Sequence, residues 1–243
     1  MEHQVYKQMY DVENTHWWFV ARKEILLRYL DVRLPLPSEA RLLDVGCGTG
    51  AILEAFSGRY QAFGSDMAPQ AIEFCRARGL TRLHQGTLDA YPQSEPFDLI
   101  TMLDVVEHVD DDLALLRAAH ALLGSSGHIL IAVPAFPSLW NTHDEILHHK
   151  RRYTRRSLGN LVREAGFTVE HLTFFNSLLF PVAWVRRMAA RASGAEMHDL
   201  EIPPGPLNAA LRETFRLERW ILPHGSLPVG LSLLCLARRG APG

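Results

Sequence analysis

Short apolar runs and segments with apolar residues at helical spacing alternate from residue 20 to about 174. That is the pattern of a parallel sheet covered by helices. "RKEILLRYL" (22–30) has helical spacing, "RLLDV" (41–45) reads as a short buried strand, and "AILEAF" (51–56) opens a helix. "YQAFGSD" (60–66) predicts a second strand and "PQAIEFCRARG" (69–79) a helix closed by glycine. "RLH" (82–84) and "FDLITML" (97–103) follow as strands. Asp110 to Leu123 predicts a helix whose acidic start suits the helix dipole. "GHILIAVP" (127–134) is a fifth strand, "TRRSLGNLVREAG" (154–166) a helix with Thr154 as N-cap, and "FTVEHLTFF" (167–175) a sixth strand. A last apolar strand, "GLSLLCLAR", lies within Gly225 to Arg239.

Residues 176–224 do not fit the alternation. They hold "SLLFPVAWVRRMAAR", a proline-rich break "EIPPGP" and a second helical stretch, "LNAALRETFRLERWIL". Ligands of open α/β sheets bind beyond the carboxyl ends of the strands, and a connection leaving the sixth strand starts at that edge. The segment therefore reads as a helical cap inserted before the last strand of one domain, 1–243.

Composition excludes several classes. Apolar residues make up 47% and charged residues 21% of the 243, ordinary values for a globular chain. A net charge of −2 gives no global pull toward nucleic acid. Cys47, Cys75 and Cys235 show no paired spacing, which argues against a disulfide framework and fits a reducing cytoplasm. The N-terminus is polar and no apolar run approaches the ~20 residues of a bilayer span, so a soluble protein is expected.

The chemistry begins at "RLLDVGCGTGAILEAF" (41–56). A strand, a glycine loop and a helix start bring backbone N–H groups to one point, and Gly46, Gly48 and Gly50 let a ligand touch the main chain. Asp66 ends the next strand, where a carboxylate can accept both hydroxyls of a ribose. "GCGTGA" also satisfies the loose dinucleotide pattern, so an NAD-dependent oxidoreductase is a rival reading. Asp44, two residues before the first glycine, would repel a pyrophosphate but suits a ligand bearing an ammonium group.

In "LLDVGCGTG" (42–50), "GSDMAPQAIEFCRARG" (64–79), "QGTLDAYPQSEPFDLI" (85–100) and "LDVVEHVDD" (103–111), the sequence resembles the class I S-adenosylmethionine-dependent methyltransferases. The motifs stand in that family's order and spacing, and "HHKRRYTRRSLGNLVREAGFTV" (148–169) is similar to its later segment. The resemblance covers roughly 20–175. It implies a Rossmann-like sheet of seven strands, mostly parallel with an antiparallel last strand and helices on both faces. It implies S-adenosyl-L-methionine as cofactor, with S-adenosyl-L-homocysteine as product. Asp44 and the Gly46–Gly50 loop, Cys47 included, would surround the methionine part, with Leu103 lining the same end. Asp66 would hold the ribose and Met67 would pack on adenine. Thr87 stands where the family often has an acid, with Leu88 and then Asp89 after it, so the adenine contact falls to Thr87 or Asp89. Some members fold an N-terminal helix over the cofactor pocket; residues 1–40 would do so here, with Arg22 meeting the cofactor carboxylate or packing in the core.

Methyl transfer from a sulfonium needs an aligned nucleophile and exclusion of water, and a hydroxyl acceptor also needs a base. Candidate bases are His143, with Asp144 as its partner, and His108, which otherwise packs against or caps the next helix. His148, His149, Arg151, Tyr153 and Trp18 are candidate acceptor contacts. Displacement at a sulfonium carbon requires no metal, and none is expected. The apolar-then-basic stretch 174–191 can lie at a membrane interface or simply cover an apolar cleft. Either version favours an acceptor with a sizeable hydrophobic part, methylated at oxygen; a non-catalytic cofactor-binding partner subunit is the remaining alternative.

Overall fold

The computed structural model describes residues 3–92, 95–193 and 201–240. Helices α1 (His3–Val12) and α2 (Trp17–Arg33) precede β1 (Arg41–Val45), α3 (Ala51–Ser57), β2 (Gln61–Asp66), α4 (Pro69–Ala77), β3 (Leu83–Gln85) and β4 (Phe97–Leu103). Then come α5 (Asp112–Leu122), β5 (Leu123–Pro134), α6 (Thr142–Ile146), α7 (Arg155–Glu164) and β6 (Phe167–Phe175). Helices α8 (Phe180–Ser193), α9 (Gly205–Arg216) and α10 (Glu218–Ile221) lead to β7 (Ser232–Arg239).

The seven strands form one sheet in the order β3-β2-β1-β4-β5-β7-β6. Strands β1 to β5 pair in parallel, and β7 runs antiparallel between β5 and β6. The chain moves outward from β1 through β2 and β3, then returns to β4 on its other side. A crevice therefore opens beyond the carboxyl ends of β1 and β4.

Successive side chains of a strand face opposite sides of the sheet. Leu43, Ile100, Ile129 and Ile131 accordingly join Leu158 and Val162 of α7 in one core. Their neighbours Leu42, Leu99 and Leu130 join Ile25, Leu26 and Tyr29 of α2 in the other. Burial on both faces is why these strands read as unbroken apolar runs rather than alternating ones.

Helix α7 starts on the expected Thr154, whose Oγ accepts the Ser157 N–H in a reciprocal capping box. Strand β5 begins four residues earlier than "GHILIAVP" suggests, because Leu123 pairs with Phe97 across a register shift that carries the polar "GSS". The N-terminal helices and the 176–224 segment lean on each other. Asn208 Oδ1 accepts the Trp17 N–H at 2.9 Å, and Asn208 Nδ2 donates to the Thr15 carbonyl at 2.9 Å. Glu24 of α2 pairs with Arg216 at 2.6 Å and Arg219 at 2.9 Å. Residues 194–200 of the expected cap, and the side chains of its basic stretch from residue 187, lie outside the described residues. Among the described residues no helix is long and apolar enough to cross a membrane.

Candidate active site

Beyond the carboxyl ends of β1 and β4 lies a cavity of about 1510 Å³. Single small-ligand sites occupy roughly 300–1,000 Å³, so this one has room for two molecules side by side. One end is built on the glycine loop. Gly46 has φ +66°, and a Cβ there would meet a Val105 methyl at 2.4 Å. Gly48 has φ +54°, yet its nearest obstacle to a Cβ is 4.0 Å away; its bare backbone borders the cavity. Gly50, with φ +87°, faces Cys75 and Leu80 instead. It turns the chain into α3 and does not border the cavity, unlike the expectation of a cofactor contact.

Asp66 accepts the Gly48 N–H at 3.0 Å and the Ala68 N–H at 2.9 Å, one on each oxygen. Burial raises its pKa against the pull of these backbone groups and of the Met67 N–H, and of the carboxylate's roughly four lone-pair sites at least one is left for a further donor. Asp44 is buried, and Thr101 Oγ1 on the adjacent strand donates to it at 2.5 Å. Burial pushes Asp44 up to about 7, against the Thr101 hydrogen bond. Asp44 and Cys47 line a small hollow next to the main cavity, with Gly46, Gly48, Arg22 and Leu103 bordering both. Met67, Thr87, Leu88 and Asp89 line the main cavity, Met67 being 68% exposed.

The N-terminal helices roof this end. Trp18 and Arg22 line the cavity, with the guanidinium 4.7 Å from the Trp18 ring centroid. Arg22 is buried and pairs with Asp104 at 2.6 Å, while its Nε has no hydrogen-bond partner among the described residues. Glu13 accepts the Thr49 hydroxyl at 2.6 Å and pairs with Arg78, fastening the end of α1 to the glycine loop.

The other end is made by the 106–108 turn and the loop after β5. Glu107 is fully buried; burial, and then Asp104, hold its pKa well above the carboxylate range. His108 is lowered to about 4 by burial and the neighbouring His149, while the His148 backbone hydrogen-bonds its ring. The His108 and His149 rings meet edge to face, centroids 4.7 Å apart.

Asp144, the carboxylate expected to serve His143, holds two other side chains. Asp144, fully buried, contacts His149 Nδ1 at 2.8 Å and Arg152 Nε at 2.8 Å. Burial opposes its charge, but the bonds from His149 and Arg152 outweigh it and hold the pKa at about 2. Among the described residues the imidazole paired with Asp144 is that of His149; the His143 side chain lies outside the described residues.

Arg151 and Tyr153 are also placed differently from expectation. Arg151 pairs with Asp112 at 3.1 Å and donates to the Val109 and Asp110 carbonyls. Tyr153 is buried, with its hydroxyl on the same Asp112 at 2.8 Å. In extended backbone Arg151 and Tyr153 share a side and Arg152 takes the other. Of the three, Arg152 alone lines the cavity, beside His148 and His149.

Sequence reasoning did not bring forward Asp104, Glu13 or Asn176. Asp104, His148 and Asn176 all hold left-handed φ values, 61°, 56° and 56°, and all line the cavity. Such strain in non-glycine residues collects at functional sites, but the sequence does not display it.

A family model described as "Methyltransferase domain" matches residues 16–172. Ubiquinone biosynthesis O-methyltransferases of Xanthomonas campestris pv. campestris and Xylella fastidiosa are each 33% identical over 120 residues. These matches cover 46% of this chain and 50% and 48% of those proteins, so the chain spans about half the length of the curated relatives it matches. A putative methyltransferase solved with the Haloferax volcanii Trm112 methyltransferase activator superposes with a TM-score of 0.63 at 19% identity. That superposition covers 98% of this chain and 95% of that one. N-methyltransferase NodS from Bradyrhizobium japonicum WM9, solved with S-adenosyl-L-homocysteine, gives 0.56 at 13% identity, covering 92% and 88%. These two likenesses establish the shared fold. With the family match spanning well over half its length, the chain belongs to the methyltransferase-domain family.

Proposed function

We propose that this protein methylates a hydroxyl oxygen on a small, partly hydrophobic acceptor that enters beneath the 176–224 cap. The cavity's two-ended shape carries this reading. The glycine-loop end fits S-adenosyl-L-methionine: open space beside Gly48, a free lone pair on Asp66, and a buried Asp44 suited to an ammonium. From there the cavity runs under Leu179, Val182, Leu207 and Leu211 of the cap, an apolar chamber more than sufficient for a hydrocarbon substituent. The matched O-methyltransferases of ubiquinone biosynthesis support an acceptor of this kind.

When bound, the cofactor supplies a sulfonium methyl carbon, which an acceptor oxygen attacks as the carbon–sulfur bond breaks and its electron pair stays on sulfur. Asp44 and Asp66 would fix the two halves of the cofactor. Glu107, His108 and His149 would receive the acceptor hydroxyl and its proton at the far end, with His149 oriented by Asp144. Residues 1–40 and the cap would together exclude water. Val182, Trp184, Val185 and Leu207 are exposed on the cap beside Arg186. That mixture suits docking on an anionic membrane surface from which a lipid-like acceptor could enter.

The test is methyl transfer from labelled S-adenosyl-L-methionine to a panel of prenylated phenols, short-chain phenols and primary amines. Turnover restricted to phenols, faster with the prenyl chain and lost in Asp66→Ala, is expected. Methylation of amines alone would overturn the oxygen assignment. Flotation with anionic vesicles tests the docking separately.

A further inference from the structure

We propose that Asn176 is a specificity-determining residue whose side-chain amide hydrogen-bonds a second hydroxyl of the acceptor. The inference rests on the function proposed above and narrows its acceptor to compounds carrying more than one hydroxyl.

Asn176 directly follows β6, where the chain leaves the sheet for the cap. It lines the cavity together with Leu179 and Leu231, and only 3% of its surface is exposed. Its φ of 56° is left-handed. Asparagine commonly stands in that conformation because its side chain can bond nearby backbone. Here that work falls to another residue. Glu218, fully buried on α10, accepts the Asn176 N–H at 2.8 Å, the Ser177 N–H at 2.6 Å and the Leu178 N–H at 2.9 Å. The Asn176 carbonyl accepts the Leu231 N–H at 3.2 Å. Both main-chain groups of Asn176 are thus occupied, and the turn is held without its side chain.

The amide is left over. Asn176 Oδ1 is buried and has no hydrogen-bond partner among the described residues. An amide oxygen withdrawn from water is destabilising unless a donor meets it. Because the residue borders the cavity, a molecule held there is placed to supply that donor.

Backbone bonds also tie Asn176 to the reacting end. Leu231 donates to Asn176 and accepts the Ala135 N–H at 2.9 Å, and Arg152 Nη1 donates to the Ala135 carbonyl at 3.1 Å. Arg152 in turn holds Asp144, which contacts His149. One hydrogen-bonded row along the sheet edge therefore fixes the amide relative to the imidazole, and an acceptor spanning both is read at two points.

The chemistry of the amide selects what it reads. Leu179, Val182, Leu207 and Leu211 of the same chamber are apolar, and a hydrocarbon group gives Oδ1 nothing. A carboxylate accepts only, which leaves Oδ1 unpaired. A hydroxyl donates to Oδ1 and can accept from Nδ2. A site built to bond a hydroxyl discriminates against the analogue that lacks it, because its own buried polar group is then stranded.

The experiment uses the intact chain saturated with S-adenosyl-L-homocysteine. Calorimetric titrations compare a prenylated phenol with its ortho, meta and para dihydroxy counterparts. The unaltered protein should bind at least one dihydroxy compound ~10–100-fold more tightly than the phenol. Asn176→Gly should abolish that preference. Glycine takes a left-handed φ without strain, so the amide is removed without disturbing the turn, and S-adenosyl-L-homocysteine affinity of the same sample reports that it is folded. Asn176→Asp, which keeps an oxygen and tolerates the same conformation, should restore part of the preference. A merely structural role would weaken the phenol and the dihydroxy compounds alike. No preference in the unaltered protein, or a preference that survives in Asn176→Gly, would overturn the assignment, while methyl transfer to the phenol would leave the proposed function standing. Failure of every phenol to bind, with S-adenosyl-L-homocysteine bound, would remove both.

Discussion

Thr101 Oγ1 on β4 donates to Asp44 Oδ1 on β1 across 2.5 Å, at paired positions of neighbouring strands. The bond aims a buried carboxylate at the glycine loop while leaving its pKa at about 7, because burial outweighs the hydrogen bond. An ammonium group bound beside Asp44 would lower that pKa. Affinity for S-adenosyl-L-homocysteine should then be greatest above about pH 7 and fall by up to ~tenfold per unit below it. Calorimetry in buffers of differing ionisation enthalpy should show protons released on binding at neutral pH. Asp44→Asn should bind weakly with a flat profile; an equally steep profile in that variant would assign the titration elsewhere.

The two bare glycines of the loop separate stability from affinity. Gly46→Ala combines a left-handed φ with a 2.4 Å clash against Val105, and should destabilise the fold by about 2–3 kcal/mol in urea unfolding. Gly48→Ala meets no atom closer than 4.0 Å, and should cost only about 1 kcal/mol of stability. Its methyl would stand in the cofactor's space, so S-adenosyl-L-homocysteine binding should fall by more than stability does. Identical losses in the two variants would show that the loop is a structural turn alone.

Asn208 joins the cap to the N-terminal roof with both ends of its amide. Asn208→Ala should leave the melting temperature within a few degrees, since two partly exposed hydrogen bonds contribute about 1–2 kcal/mol together. Release of bound cofactor, followed by stopped-flow tryptophan fluorescence, should speed up several-fold. An unchanged release rate would mean that roof and cap open independently.

His171 sets an acid limit on stability. Its ring is held between the Tyr29 hydroxyl at 2.7 Å and the Ser226 hydroxyl at 2.9 Å, and burial lowers its pKa from 6.5 to about 4. The unfolded chain takes up this proton first as pH falls. The contribution is therefore complete above pH 6.5 and is lost progressively toward pH 4. It amounts to at most about 3 kcal/mol across that window. His171→Asn should be less stable at neutral pH and should show a shallower decline in urea midpoint below it.

The strands were legible because burial on both faces writes each of them as an apolar run. The glycine loop was legible because backbone approach leaves a mark in composition. The histidine loop was not, for physical reasons. Pairing of Asp144 with His149 depends on the chain doubling back through His148 with positive φ, and a histidine gives no notice of that conformation. Arg151 and Tyr153 were misjudged in a way alternation could have corrected: residues two apart in extended chain share a side, and both serve Asp112. Glu13 belongs to the site only because α1 folds onto the loop that carries Thr49.

Phe175 at the end of β6 pairs with Ser232 at the start of β7. The whole excursion between them leaves and re-enters the sheet at adjacent positions, about 5 Å apart. Its exposed parts can change in length and sequence without moving a strand, as with an insertion at a hairpin tip, while buried Phe215 and Leu222 keep its base in the core. Acceptor preference could thus diversify by exchange of this one segment while the glycine loop and its carboxylates stay as they are.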